Sequence, residues 1–286
     1  MGLTNRVSAA IVLVGWDRAR TIRSCEIIDA WVKERGINCS KYLVMNRPLG
    51  STPSGYETLL HDNSGLDIGA MIRGISRSRS DEDIIVLCND RLPEYESDRP
   101  VLSRSDDRVL SYVASGPVLA GKLHEHKMRI RVGGASGSTW IQTHCLLISR
   151  ELLESVDLNR LSMEASQAVR FTEDGALWSP HINKGLRNFI EHGLFSDRPQ
   201  PRMSWRWHSA AKYGESDLIY LSQKAASIIA ERALSAEVLR KGGILLDVAS
   251  GLRVHRARGI PLLYRLERVA QTMVGRSQTS VLRTMP

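Results

Sequence analysis

The run Ile84-Ile85-Val86-Leu87-Cys88 is apolar without interruption, rich in β-branched residues, and stops abruptly at Asn89-Asp90-Arg91. A strand with one wet face alternates apolar and polar residues; this one does not, so it fits a strand covered on both faces. That constrains the chain to an α/β arrangement in which helices cover a mostly parallel sheet. It also puts polar residues at a strand's carboxyl end, outside which open α/β sheets bind their ligands. A carboxylate there can hold a divalent cation or a ribose hydroxyl.

The rest of the chain repeats the pattern. Ala9–Trp16 (AAIVLVGW) reads as a first strand, Asp17 opens a helix through Ile22, Ile27, Ile28 and Trp31, and Gly36 stops it. Tyr42–Met45 gives a second strand, followed by an irregular Ser/Thr/Pro/Gly-rich loop through Gly55. Asn63-Ser64-Gly65-Leu66-Asp67 supplies turn residues, with Asp67 placed to cap a helix through Ile68, Met71, Ile72 and Ile75. Gly65, Gly69 and Gly74 allow close backbone approach. Residues 90–108 read as a polar surface loop, Val118–Leu123 and Met128–Val132 as two short strands, and Gly133–Ser138 as a flexible loop. Residues 151–240 read as mainly helical.

Taken together, the motifs are more specific than any one turn residue. Asn63-x-Gly65-x-Asp67-x-Gly69-Ala70, then a helix, then an apolar strand ending in Asn89-Asp90 resembles the donor half of glycosyltransferases of the GT-A fold. The likeness is to the family 2-like and rhamnan-synthesis-type enzymes of bacterial surface polysaccharides. Trp140-Ile141-Gln142-Thr143-His144, leading into Cys145–Ser149, is similar to that family's aromatic-x-Gln-[Ser/Thr] segment. Phe171-Thr172-Glu173-Asp174 is similar to its Glu-Asp element, and Lys224–Ser235 to a recurring helix.

The resemblance implies a Rossmann-like GT-A domain over residues 1–242, with a donor half of about 1–132 and an acceptor half of about 133–242. It implies a nucleoside diphosphate-sugar donor near Asn63, Gly65, Asp67, Gly69, Asn89, Asp90 and Arg91, and a glycan or lipid-linked acceptor. Asp174 is then the base, with Glu173 as the alternative; at the start of a helix, the two carboxylates would also be favoured as ordinary first-turn residues. Trp140, Gln142, His144 and Trp207 become substrate contacts, and Asp90 and His208 the ligands of a divalent metal, Mn²⁺ or Mg²⁺. One departure bears on that metal: the strand ends in a single carboxylate followed by Arg91, which competes with a cation or itself neutralises a diphosphate. A catalytically silent GT-A-like scaffold therefore stays open as an alternative.

Composition narrows the remaining classes. The chain has no Walker loop, no Gly-x-Ser-x-Gly elbow and no His-Glu-x-x-His. Its four cysteines are scattered through apolar stretches without ligand spacing, which reads as free thiols. The net charge of +8 points to an anionic partner, and arginine is concentrated at the end of the chain. Residues 243–286 read as a basic tail in which Arg253, Arg256, Arg258, Arg265, Arg268 and Arg276 face Glu267 alone, with leucines at helical spacing. Such a helix suits an anionic membrane surface, or packs its stripe on the parent domain. A nucleic-acid binder would share the charge but lacks the expected recognition motifs. No run spans a bilayer and the start reads as a lead-in to a strand, so the expected place is the cytoplasm, at the inner face of the membrane if the tail binds it.

Overall fold

The computed structural model describes residues 7–48, 50, 52–132, 135–195 and 218–256. In chain order these form β1 (Ser8–Gly15), α1 (Arg18–Arg35), β2 (Asn38–Met45), β3 (Glu57–Leu60), α2 (Leu66–Ile75), β4 (Ile84–Asn89), α3 (Leu92–Asp98), α4 (Asp107–Ala114) and β5 (Val118–Val132). There follow β6 (Ala135–Ser149), α5 (Arg150–Ser155), α6 (Leu158–Gln167), β7 (Val169–Thr172), β8 (Gly175–Trp178), α7 (Lys184–Leu194), α8 (Leu218–Arg240), β9 (Ile244–Asp247) and β10 (Arg253–Arg256).

Eight strands form one sheet in the order β3-β2-β1-β4-β6-β5-β9-β10. Strands β1 to β4 are mutually parallel, β6 is antiparallel to both its neighbours, β9 runs parallel to β5, and β10 turns back on β9. The sheet is thus mostly parallel and flanked by helices. Every residue of β4 is buried, as its unbroken apolar run requires. Alternation splits the core: Ala10, Val12, Ile85 and Leu87 face α2, α6 and α8, while Ile11, Leu13, Ile84 and Val86 face α1 and α4. Each such aliphatic contributes about 1.5–3 kcal/mol on burial.

Local signals explain the helices nearest the sheet. Asp17 caps α1 by accepting the Arg20 N–H, and Gly36 ends it in the left-handed region. Helix α2 lies so close to β1 that a Cβ at Gly74 would fall on the Val12 side chain. Helix α8 is buried nearly all round because β6, α6 and β7 cover it.

Several expectations are corrected. Asp67 does not cap α2; Gly65, in the left-handed region, occupies that place and Asp67 sits in the first turn. Residues 90–108 are not a plain loop but contain α3 and bury Leu92, Val101, Leu102 and Ser105. Their apolar residues are too sparse to show a period. The two short strands expected between 118 and 132 are the single strand β5, and Glu57–Leu60, for which the sequence suggested no element, is edge strand β3. Residues 244–256, assigned to the tail, add β9 and β10 to the sheet, so Arg253 and Arg256 lie on a strand and not a helix. The rest of the basic tail lies outside the described residues.

Candidate functional site

The chain leaves β1 towards β2 and β3 on one side and returns to β4 on the other, which makes the gap between the carboxyl ends of β1 and β4 a topological switch point. Trp16 and Asp17 follow β1 there; Asn89, Asp90 and Arg91 finish and follow β4. Asp90 is buried, and its Oδ2 accepts the backbone N–H of Trp16 at 2.9 Å and of Asp17 at 2.6 Å, with Arg20 Nη2 at 3.7 Å. Burial pushes this carboxyl up, against the pull of the Asp17 and Trp16 amides and of Arg20. Asp67 joins the same network from α2. Its Oδ1 accepts Trp16 Nε1–H at 2.7 Å and its Oδ2 accepts Asn89 Nδ2–H at 3.1 Å. Asn89 Oδ1 in turn accepts the Arg91 N–H at 3.2 Å.

The turn before α2 plays a different part. Asn63 and Gly65 adopt positive φ, and the Asn63 Oδ1 is buried without a hydrogen-bond partner. A Cβ at Gly69 would fall on the Ser64 carbonyl oxygen, so this glycine lets the turn lie against the helix. Asn63, Gly65 and Gly69 thereby set where Asp67 stands.

Strand β6 brings the second predicted segment to the same edge. It is antiparallel to β4 with Cys88 opposite Cys145, so His144 is level with Asn89 and Trp140–Thr143 continue past the carboxyl end of β4. The pairing with β5 is irregular here: Leu146 faces Gly121 and Ile141 faces Leu123, leaving Gln142–Cys145 opposite Lys122 alone. Gln142 Oε1 accepts Arg99 Nη1–H at 3.0 Å. The His144 ring stacks on Tyr95 at 3.8 Å and 17°, and the Arg91 and Arg99 guanidiniums each lie 5.4 Å from the Tyr95 ring centre. Burial, reinforced by Arg99, His124 and Arg91, pushes His144 down to about 3, and its Nε2 has no hydrogen-bond partner.

On the α8 side, Glu231 Oε2 accepts from Thr143 N–H at 3.0 Å and Oγ1–H at 2.8 Å. The buried Arg232 guanidinium lies 4.2 Å from the Trp140 ring and 4.7 Å from that of Phe189. Burial pushes Arg232 down to about 10, against Glu231. Trp140 also stacks on His124 at 5.2 Å.

Glu173 and Asp174 do not start a helix. They form the exposed two-residue turn of the β7–β8 hairpin, with Thr172 paired to Gly175. The hairpin is anchored by the Phe171 N–H on Ser222 Oγ at 2.9 Å, near the start of α8. Because α8 leads into the amino end of β9, its start lies towards the carboxyl edge of the sheet. Ser222 precedes Glu231 by nine residues, about 14 Å of helix. The hairpin turn is therefore on the site's side of the molecule but outside the Asp67–Asn89–Asp90 network. Trp207 and His208 lie outside the described residues.

Sequence reasoning missed Trp16, Arg20, Tyr95, Arg99 and Arg232. Trp16 carried a readable signal, since it closes the first strand as Asn89 closes the fourth. Arg91, Tyr95 and Arg99 are spaced by four, the helical neighbour distance, but in a stretch whose charges suggested a loop. Compared with protein-family models, with curated proteins and with solved structures, the chain matches none.

Proposed function

We propose that the chain is a glycosyltransferase of GT-A type, moving a sugar from a nucleoside diphosphate-sugar to a hydroxyl of a growing surface polysaccharide or glycolipid. The observation that carries the reading is that two separately recognised segments, Asp67 with Asn89–Arg91 and Trp140–His144, meet at one carboxyl edge over the β1/β4 switch point. Glycosyl transfer requires a donor-diphosphate site beside an acceptor hydroxyl, with a base within reach. The acceptor oxygen bonds to the anomeric carbon as that carbon's bond to the diphosphate oxygen breaks. The nucleoside diphosphate leaves with the electron pair, and the acceptor proton passes to Asp174, or to Glu173. An exposed turn suits a group that meets the acceptor only once it is bound. A silent GT-A-like scaffold is the second reading, favoured by the exposure of that same turn.

The test is a thermal-shift panel of nucleotide sugars and nucleoside diphosphates. A ligand at a hundred times its Kd stabilises by about 2.7 kcal/mol, enough to move the midpoint by a few degrees. At least one nucleotide class is expected to do so, and a flat panel overturns the reading. Release of nucleoside diphosphate in the presence of acceptor glycan then separates enzyme from scaffold.

A further inference from the structure

The carboxylates of the switch-point crevice are already engaged by protein donors. Asp90 Oδ2 holds two backbone amides, both Asp67 oxygens hold Trp16 and Asn89, and Asp17 Oδ1 caps α1. Glu94 faces Arg91 Nε at 3.0 Å and Arg20 Nη1 at 3.6 Å. A divalent cation prefers several free oxygens in one shell. Among the described residues no group of three His, Cys, Asp or Glu side chains is placed to supply them. Two guanidiniums, Arg20 and Arg91, also stand within 4 Å of these carboxylate oxygens and oppose a second positive charge. The donor set of the described residues does not fit a resident metal.

The positive charge at this edge is left over instead. Arg99 is half-buried, its Nη1 is held by the neutral Gln142, and it forms no ion pair with a carboxylate among the described residues. Its guanidinium shares Tyr95 with Arg91, and Tyr95 is fixed flat against His144. His144 is more than nine-tenths buried, its Nε2 has no hydrogen-bond partner, and burial, reinforced by Arg99 and Arg91, keeps the ring neutral. A site with a surplus guanidinium on a rigid aromatic support is built to receive an oxyanion, because the planar fork matches phosphate geometry.

We propose that Arg99, with Arg91, receives the diphosphate of the donor across Tyr95, and that no divalent cation is required for this. The proposal rests on the donor-site reading and specifies its chemistry. Gln142 positions Arg99 from the β6 bulge. The fixed stack means that little has to reorganise as charge develops on the leaving group.

The experiment is calorimetric titration of the full chain with UDP, GDP, CDP and dTDP, first in EDTA and then with MnCl₂ or MgCl₂. The nucleotide that binds is expected to do so equally well in EDTA, and Arg99→Gln to weaken it about tenfold or more, with Arg99→Lys weakened less. Arg91→Gln, at an exposed position, gives a second reading should Arg99→Gln melt early, and is expected to weaken binding severalfold. Binding that falls tenfold or more in EDTA overturns the proposal and leaves the donor site standing. Parental affinity in folded Arg99→Gln, or in Arg91→Gln where that variant substitutes for it, also overturns the proposal. If no diphosphate binds with or without metal, the donor-site reading fails and takes this proposal with it.

Discussion

Asp90 shows how a residue singled out from sequence as a ligand can also carry a structural duty. A carboxylate closing a buried strand reads as a ligand; here its Oδ2 joins the start of α1 to the end of β4 through two backbone amides. Asp90→Ala is expected to cost about 2 kcal/mol in urea unfolding, because those amides lose their acceptor. It is thus a poor probe of binding, and unchanged stability would show the staple to be unimportant. Asp67, Asn89, Asp90 and Arg91 were legible because each stands where a strand or helix begins or ends, and Gln142 and His144 because they belong to a segment singled out by resemblance, although they lie inside β6. Tyr95 and Arg99 were not, since their importance comes from the β6 side chains packed on them.

His144 provides a test through pH. Its folded-state value lies near 3, below the ordinary 6.5, so an unfolded chain takes up a proton that the folded one refuses. Its contribution is complete above about pH 6.5 and is lost as pH falls towards 3, with a slope approaching 1.4 kcal/mol per pH unit. His144→Phe keeps a ring on Tyr95 without titrating, and its stability should fall less between pH 6.5 and 4.5. Parallel profiles for parent and variant would exclude His144 as a source of the acid sensitivity.

At the scale of elements, the β7–β8 hairpin is the informative case. Glu173 and Asp174 looked like the first turn of a helix because acidic residues favour that place. Asp174-Gly175 is also a hairpin signal, and tertiary packing decides: Phe171 meets Trp178 and Phe195 edge to face at 5.9 and 5.2 Å. Four-residue strands of this kind are too short to declare a period of two. As the turn is exposed, Asp174→Asn and Glu173→Gln should leave the melting temperature unchanged. If Asp174 is the base, its variant loses about a hundredfold or more in turnover at unchanged donor affinity. Full activity in both variants removes the hairpin from the chemistry.

For the whole molecule, the parallel half was readable because β1, β2 and β4 are continuous apolar runs, whereas β9 and β10 lie in a stretch that Gly242-Gly243 and the arginines marked as a boundary. Ile244, Leu245 and Leu246 are 5%, 0% and 3% exposed, so ending the chain at Gly242 forfeits about 5–9 kcal/mol of burial and should prevent folding. Ending it after Arg256 keeps the sheet and isolates the basic remainder. No helix among the described residues is long and apolar enough to cross a membrane. If the remainder holds the protein to anionic lipid, flotation with acidic vesicles is salt-sensitive and disappears in the chain ended at Arg256; equal flotation of both chains excludes that role. The bulge at Gln142–Cys145 has a consequence for change over generations. A residue gained or lost there leaves the alignment of β4 with β6 below it and of the hairpin arm beyond it untouched, whereas elsewhere a one-residue slip turns every side chain to the wrong face. Selection can recut the mouth of the crevice without disturbing the sheet that carries it.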